Sequence, residues 1–545
     1  MVDHRLVVDR GELFGTGEGE GLQASAVAAR ENDAFHPLRA PSWSVFPHGG
    51  GHVQSRSNAL LGRSRPRRAQ RWAPGGRAGR SIKRGPRPAQ GGRVRVSCVR
   101  LGAKFLKGLI GLRILFTCIP WRSHFQALVP LAWALQAAGH EVRVASGPEL
   151  TDAVTASGLP AVPVGSDEPV MDKLDALLVP EVMAKVQELA ERGDLLTDLS
   201  ENREEELTWE RLRWGYQMTQ RTQAAMNDAM VEELVEYCRW WQPDLVLWDW
   251  LSHAGAIAAT AADVPHGRML TELDVVGRMR RHFLRVRQEQ APKDREDPLG
   301  DWLGEWAQKF GGEFSEEMVT GQFAIEQMLG SMRLKSPSPH LALRYVPYNG
   351  PSVIPHWARR APVKRRVLAT YGLSLEQAAR HQAASLEQVQ GMLDALADVD
   401  IELVVTLPER LQRELERVPG NTRLVEFVPL HAVVPSCSAV IHHGGVPGFL
   451  ESIAHGVPQL VIGRVVPDIG ERGPRLERSG AGLWIRGDAP EELEGARVRE
   501  QVVRLLEEPS FRQAAGRLGQ ELAAQPSPAE VVGELERIVN RSGAR

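Results

Sequence analysis

The chain has 545 residues, enough for two or three domains, and its 43% hydrophobic and 25% charged residues are typical of a folded protein. A formal net charge of −2 disfavours nucleic acid as a partner, and no run of about 18 apolar residues predicts a membrane span. The four cysteines, Cys98, Cys118, Cys238 and Cys437, are far apart. This spacing disfavours a disulfide framework or a zinc cluster and favours reduced thiols in a cytoplasmic enzyme.

Residues 1–110 differ in composition from the rest of the chain. Stretches such as 63–68 and 77–84 are rich in Arg and Gly and have neither helical nor strand periodicity. The region is therefore predicted to be a disordered basic extension. One interpretation is an arm that binds nucleic acid or anionic lipid. The preferred interpretation is an unstructured extension produced by a start codon assigned too far upstream, with no nucleic-acid partner.

The pattern changes at Arg113, where short apolar runs begin to alternate with helical periods. Residues 113–119 predict a buried parallel strand, residues 129–138 a helix, and residues 141–145 the next strand. Strand, helix and strand with short connections form the βαβ unit of a doubly wound fold. Further along, residues 244–248 predict another strand, and residues 275–330 are interpreted as a helical insertion near the substrate cleft.

A second α/β series follows a stretch rich in Pro, Tyr and Asn. Predicted strands lie at 367–370, 401–406, 424–428, 439–442 and 459–462, and predicted helices at 375–396 and 449–454. The fold class is therefore α/β, with two Rossmann-like domains facing a cleft. The predicted divisions are an extension (1–110), an N-terminal domain (111–336), a linker (337–360), a C-terminal domain (361–525) and a C-terminal helix and tail (526–545).

A glycine-rich turn in the second domain is a candidate anion site. His443, Gly444 and Gly445 come directly after a predicted strand and before a predicted helix. Glycines allow backbone amides to approach a ligand closely, and the start of a helix favours a diphosphate. The alternative interpretation is a tight turn with a structural histidine.

A histidine in the first domain is a candidate general base. His124 follows the first predicted strand, where ligands of open α/β sheets bind. Asp249 ends another predicted strand of the same domain and is placed to hold the imidazole in one tautomer. His253 is a competing candidate. Trp248 and Trp250 are interpreted as packing residues, with lining of an apolar acceptor pocket as the alternative.

Taken together, residues 116–125 and 129–145 resemble the opening of the antibiotic glycosyltransferases. These actinobacterial enzymes attach deoxysugars to macrolides and anthracyclines. The resemblance covers residues 112–540 and does not include the N-terminal extension. Further matching segments are 241–248, 295–299, 344–353, 427–432, 455–461 and 526–532.

The resemblance implies a GT-B fold in which the N-terminal domain holds the acceptor and the C-terminal domain holds the donor. It implies a thymidine-diphosphate (dTDP) deoxysugar donor, a hydrophobic aglycone as acceptor, and inversion at the anomeric carbon. Neither a cofactor nor a metal is expected. A cytochrome-like helper protein, which some members need, and a homodimer are candidate partners.

The resemblance also suggests roles for individual residues. His124 matches the general base, with Asp249 as its partner. Thr370 falls near the diphosphate, Val428 where backbone groups meet the nucleobase, and Asp468 near an acidic residue that contacts sugar hydroxyls. The predicted donor-binding residues are Thr370, Val428, His443, Gly444, Gly445 and Asp468.

The donor loop departs from the family pattern, in which the two glycines are followed by a small residue, Gly, and Ser or Thr. This chain has Val446, Pro447 and Gly448 instead. Proline has no N–H to donate and a hydroxyl is missing, so donor binding is expected to be weakened or shifted. Two alternatives therefore remain: a non-catalytic binding or helper homologue, and an epimerase or hydrolase of nucleotide sugars.

Overall fold

The computed structural model describes residues 111–196, 198–336, 338–371, 385–463, 466–487 and 493–542. The extension predicted for residues 1–110 lies outside these residues. So does the first part of the helix predicted at 375–396, of which the structure describes Leu386–Leu396.

The N-terminal domain is built on a parallel sheet of seven strands in the order β3-β2-β1-β4-β5-β6-β7. From β3 to β6 this is the order of a Rossmann sheet, with one strand added. The strands are β1 (Arg113–Thr117), β2 (Glu141–Ser146), β3 (Ala161–Pro163), β4 (Leu245–Asp249), β5 (His266–Leu270), β6 (Ala324–Glu326) and β7 (His340–Ala342).

Helices cover both faces of this sheet. Alternate residues of β1 enter different cores: Leu115 packs in one cluster, while Ile114 and Phe116 pack in another. This arrangement explains why the central strands are apolar throughout. The helices are α1 (Arg122–Ala137), α2 (Thr151–Ala156), α3 (Val170–Asp175), α4 (Pro180–Glu191), α5 (Trp209–Trp241), α6 (His253–Ala261), α7 (Val275–Gln288), α8 (Pro298–Lys309) and α9 (Glu317–Thr320).

The C-terminal domain is also built on a parallel sheet, with six strands in the order β10-β9-β8-β11-β12-β13. Its strands are β8 (Arg365–Thr370), β9 (Ile401–Thr406), β10 (Thr422–Val425), β11 (Cys437–His442), β12 (Gln459–Ile462) and β13 (Gly482–Ile485). Its described helices are α10 (Leu386–Leu396), α11 (Glu409–Gln412), α12 (Leu430–Val433), α13 (Val446–Ala454), α14 (Ile469–Ser479), α15 (Gly495–Glu507) and α16 (Pro509–Ala523).

The final helix, α17 (Pro528–Ser542), returns to the N-terminal domain. Its residues Val531, Val532 and Leu535 are buried in the same core cluster as α1 and one face of the first sheet. The chain therefore crosses between the domains twice, once after β7 and once before α17.

The domains also meet at the start of α14. A Cβ on Gly470 would lie 2.0 Å from Ser200 Oγ, so this helix approaches the N-terminal domain too closely for a side chain. Arg278 joins the two sides, because it pairs with Glu471 and donates a hydrogen bond to the carbonyl of Ser200 at 2.7 Å.

The structure corrects two of the predicted boundaries. The linker predicted at 337–360 contains β7, which pairs with β6, so the N-terminal domain extends to at least Ala342. The insertion predicted at 275–330 contains β6 as well as helices. Both strands are three residues long, too short for a recognisable period.

Three cysteines fall within the described residues. Cys118, Cys238 and Cys437 are buried free thiols, as the sequence predicts, and burial raises the pKa of Cys238 to about 12. No helix of the described ranges is both long and apolar enough to cross a membrane.

Candidate functional site

The structure brings His124 and Asp249 together. His124 is the third residue of α1, directly after β1, and Asp249 is the last residue of β4. Because β1 and β4 are adjacent parallel strands, their carboxyl ends lie side by side. The Nδ1 atom of His124 lies 2.8 Å from Oδ1 of Asp249.

This contact defines the chemistry of the imidazole. Asp249 is fully buried, whereas the side chain of His124 is 16% exposed. A carboxylate beside Nδ1 favours the tautomer with the proton on that nitrogen. The Nε2 atom then carries the lone pair and can accept a proton from a hydroxyl.

Two tryptophans flank His124. The Trp121 ring stands edge-on to the imidazole at 5.5 Å between centroids, and the Trp250 ring lies 6.0 Å away. Both indole Nε1 atoms are buried and have no hydrogen-bond partner among the described residues. His124 therefore has two aromatic neighbours whose indole N–H groups can donate hydrogen bonds to a bound molecule.

A small pocket of about 10 Å³, with room for about one water molecule, lies at the carboxyl ends of the first strands of the domain. Val170 and Met226 line it and pack in the same apolar cluster as Trp250. The other lining residues are Pro120, Gly147, Glu149, Val164, Ser166, Glu168, Lys173 and Met230. Apolar and charged side chains line this pocket together.

The competing candidate, His253, has a structural position. It is 2% exposed, and its Nδ1 lies 2.9 Å from Oε1 of Gln223. Burial, with a smaller effect of the Arg268 charge, lowers its pKa to about 4. Trp248 is a packing residue, because it is fully buried and its indole N–H donates to Nδ1 of His266.

The candidate donor loop follows β11. His442 ends this strand, and its ring accepts a hydrogen bond from the amide of Gly444 at 3.1 Å and contacts Gln459 Oε1 at 2.7 Å. Burial lowers the pKa of His442 to about 3. Gly444 has a φ of +92°, and a Cβ there would lie 3.0 Å from Ile469, so a glycine is required for this turn.

Gly445 caps α13, the helix whose first turn faces the loop. A Cβ on Gly445 would lie 2.7 Å from Nε2 of His443, so a glycine is needed for this close approach. Burial and then the charge of Arg472 lower the pKa of His443 to about 4. Pro447 is in the first turn of α13, where its missing N–H leaves the helix intact but removes one outward donor.

Two other predicted donor residues border this loop. Thr370 ends β8 and pairs with His442 in the sheet register, and its hydroxyl accepts a hydrogen bond from the hydroxyl of Thr406 at 2.9 Å. Val428 is 2% exposed and its side chain packs in a core cluster, so only its backbone is available to a ligand.

Asp468, which is predicted to contact sugar hydroxyls, is held by contacts within the protein. Asp468 is fully buried, and its two carboxylate oxygens pair with Arg472 at 2.7 and 2.8 Å. It also accepts the amide of Leu273 from the N-terminal domain at 3.0 Å. Both carboxylate oxygens are therefore already engaged by groups of the protein. Arg472 in turn donates to the carbonyl of Gly444 at 2.8 Å, so the ion pair supports the loop from below.

Sequence reasoning missed Trp121, Arg472 and Glu272. Trp121 could have been recognised, since it lies three residues before His124 and directly precedes the helix that carries it. Arg472 and Glu272 gave no signal, because both matter through burial, and Arg472 also matters through its contacts with Asp468 and Gly444.

We predict an acid-sensitive stability from the buried histidines. Burial lowers the pKa of His266 from 6.5 to about 4. Between these values the unfolded chain binds more protons than the folded one, so stability falls as the pH falls from about 6.5 to about 4. His266→Gln keeps an acceptor for Trp248 and should reduce this loss in the free energy of unfolding by up to about 3 kcal/mol.

Urea titrations at pH 7.5 and pH 4.5 measure this effect, since the second value lies inside the window set by His266. The exposed His356 provides a control, and His356→Gln should keep the full pH dependence. Equal losses in His266→Gln and in the unchanged protein would contradict the prediction.

Two Rossmann-like parallel sheets, with a histidine–aspartate pair after one and a glycine turn after the other, define the GT-B class of glycosyltransferases. Family comparison makes this specific. A model described as "Erythromycin biosynthesis protein CIII-like, N-terminal domain" matches residues 133–372, and its C-terminal counterpart matches residues 390–538. The chain therefore belongs to the EryCIII-like glycosyltransferase family, which confirms the fold and the resemblance found in the sequence.

Individual relatives agree with this assignment. The chain is 41% identical to aclacinomycin-T 2-deoxy-L-fucose transferase of Streptomyces galilaeus, over 78% of this chain and 96% of that one. It is also 41% identical to 10-deoxymethynolide desosaminyltransferase of Streptomyces venezuelae, over 78% and 97%. The crystal structure of the glycosyltransferase VinC in complex with dTDP is 40% identical, with a TM-score of 0.69, over 79% of this chain and 100% of that one.

Proposed function

We propose that this enzyme transfers a deoxysugar from a dTDP-sugar to a hydroxyl of a hydrophobic polyketide aglycone, with inversion and without a metal. The observation that carries the proposal is the pairing of His124 with a buried Asp249 between two tryptophan rings. Relatives named as desosaminyl and deoxyfucosyl transferases, and a solved relative bound to dTDP, support the substrate classes.

The reaction is a direct displacement. Nε2 of His124 takes the proton of the acceptor hydroxyl while the hydroxyl oxygen attacks the anomeric carbon. The bond between that carbon and the diphosphate oxygen breaks, and dTDP leaves with the electron pair. Attack on the face opposite the leaving group inverts the configuration. Asp249 stabilises the imidazolium that forms.

The donor loop stabilises the departing diphosphate. In the proposed complex, the free amides at the start of α13 point at the phosphate oxygens, and the helix dipole adds positive potential. His443 is a further hydrogen-bonding group beside these amides, and Thr370 borders the loop at the end of β8. Val428 offers its backbone to the nucleobase. In this proposal Asp468 supports the loop through Arg472 and does not contact the sugar.

The same proposal assigns the acceptor to the N-terminal domain and the donor to the C-terminal domain. Trp121 and Trp250 form the acceptor wall, with their indole N–H groups available to acceptor oxygens. A cytoplasmic location, a helper protein and a homodimer stay predictions of the sequence.

A transfer assay tests the function. The enzyme is incubated with a dTDP-deoxysugar and a panel of polyketide aglycones, and glycosylated product and released dTDP are quantified by mass spectrometry. Equal amounts of the two are expected. Failure to bind dTDP in calorimetry at millimolar concentration would favour the non-catalytic homologue, whereas products formed from donor alone would indicate an epimerase or hydrolase.

We predict that Pro447→Ala tightens dTDP binding. The substitution restores one N–H at the start of α13, and a hydrogen bond to a charged group contributes about 1.5 kcal/mol or more. The dissociation constant from calorimetry should therefore fall by roughly tenfold. Pro528→Ala, at the start of α17, is the matched control and should leave it unchanged. An unaltered constant in Pro447→Ala would mean that this amide does not face the diphosphate.

A further inference from the structure

Glu272 is a buried carboxyl that the mechanism above does not use. It lies two residues after β5, at the carboxyl end of the N-terminal sheet, and is 6% exposed. Its Oε1 atom is buried and accepts no hydrogen bond from the described residues. A buried carboxyl oxygen without a hydrogen-bond partner is costly, so Glu272 is a candidate for contact with a ligand.

Its position relates it to both halves of the site. The next residue, Leu273, donates its amide to Asp468 across the domain boundary at 3.0 Å. The preceding strand β5 pairs with β4, which ends at Asp249, and the charges of Asp468, Arg472 and Asp249 all act on Glu272. Glu272 therefore lies at the domain boundary, near the partner of His124 and near the ion pair that supports the donor loop, and the proposed function assigns the sugar ring to this boundary.

The charge balance around Glu272 is negative. Arg472, the cation that acts on it, is already engaged by both carboxylate oxygens of Asp468. Burial, reinforced by the charges of Asp468 and Asp249, raises the pKa of Glu272 well above its usual range. His442 and His443 are neutral at physiological pH and do not offset these acids. Among the charged groups that act on Glu272, the two acids therefore outnumber the single cation.

We propose that Glu272 is a specificity-determining residue that selects donors whose deoxysugar carries a protonated amine. In this proposal, which rests on the proposed function, the ammonium group of the sugar pairs with the carboxylate. A neutral deoxysugar leaves Glu272 protonated and gains only a neutral hydrogen bond. When the sugar carries an ammonium group, Glu272 releases its proton to the buffer. The carboxylate and the ammonium group then form a charge-assisted hydrogen bond at a site shielded from water.

The test compares two nucleotide sugars that differ in a single group. Calorimetry gives dissociation constants for a dTDP-aminodeoxysugar and for the dTDP-deoxysugar with a hydroxyl in place of the amine. The unchanged protein is expected to bind the amino sugar roughly 10- to 100-fold more tightly. Glu272→Gln, which has the shape of the protonated acid, should reduce this ratio to about one.

A second measurement distinguishes loss of the carboxylate–ammonium pair from a general loss of shape complementarity between the sugar and its site. Titrations in buffers of different ionisation enthalpy count the protons released on binding. The amino sugar should release one proton from the unchanged protein and none from Glu272→Gln. The exposed Glu305 on α8 provides the matched control, and Glu305→Gln should keep both the affinity ratio and the proton release.

The outcomes distinguish this proposal from the proposed function. Binding of dTDP and of both sugars with no preference, or a preference that survives in Glu272→Gln, overturns the role of Glu272 and leaves the transferase intact. Failure of the unchanged protein to bind dTDP overturns both.

Discussion

His124→Ala is expected to lower kcat for glycosyl transfer by roughly 10²- to 10⁴-fold, the usual contribution of a general base. Without the imidazole, the acceptor hydroxyl has no group to take its proton as the new bond forms. The donor loop lies in the other domain and does not touch His124, so the dissociation constant for dTDP should change little. Single-turnover rates and calorimetry with dTDP measure the two quantities.

A control and a companion variant sharpen this prediction. The exposed His356 is distant in sequence from both sites, and His356→Ala should keep the full rate. Asp249→Asn should also lose activity, because an amide in place of the carboxylate favours the wrong tautomer. The loss in the double variant should not exceed that of His124→Ala alone, since the two residues act as one unit. A fully active His124→Ala enzyme would remove His124 from the reaction.

The His124–Asp249 pair shows what the sequence can predict about such a site. Each residue follows an apolar run that reads as a parallel strand, and parallel strands of one sheet end at the same edge. If the two strands are also neighbours in the sheet, His124 and Asp249 must lie close together. The glycine loop after β11 was readable for the same reason, as a turn between a strand and a helix.

The strands that were missed have physical reasons of their own. The run of β5 contains Arg268, a residue that argues against a fully buried strand. The structure buries this arginine completely and pairs it with Asp274 at 2.8 Å, a partner beyond the end of the strand. The sequence contains both residues, but their pairing depends on how the chain folds back after β5.

The contacts of Asp468 could not be predicted from the sequence for a related reason. In the sequence it is an acid in a loop before a helix, which fits either a ligand contact or a structural pair. The contacts with Arg472 and with Leu273 come from the helix turn that follows and from the other domain. Whether Asp468 contacts a ligand or forms a structural pair depends on its burial and on contact between the domains. No periodic pattern in the sequence indicates either of these.

This buried pair leads to the second large prediction, which concerns stability. Arg472→Met should lower the free energy of unfolding by about 3–5 kcal/mol, because it leaves the fully buried Asp468 with an uncompensated charge. It also removes the hydrogen bond to the carbonyl of Gly444, so the donor loop loses its support. Urea titration measures the stability, and calorimetry measures the accompanying loss of dTDP affinity.

Arg478 lies on the exposed side of the same helix and provides the matched control, since Arg478→Met should change the free energy of unfolding by less than about 0.5 kcal/mol. The double variant Asp468→Leu with Arg472→Met removes both charges and should recover part of the lost stability, because the cost of the single variant is the unpaired carboxylate. It should not recover dTDP affinity, since the carbonyl of Gly444 still lacks its donor. Recovery of both quantities together would mean that the loop depends on the packing of α14 and not on the guanidinium of Arg472.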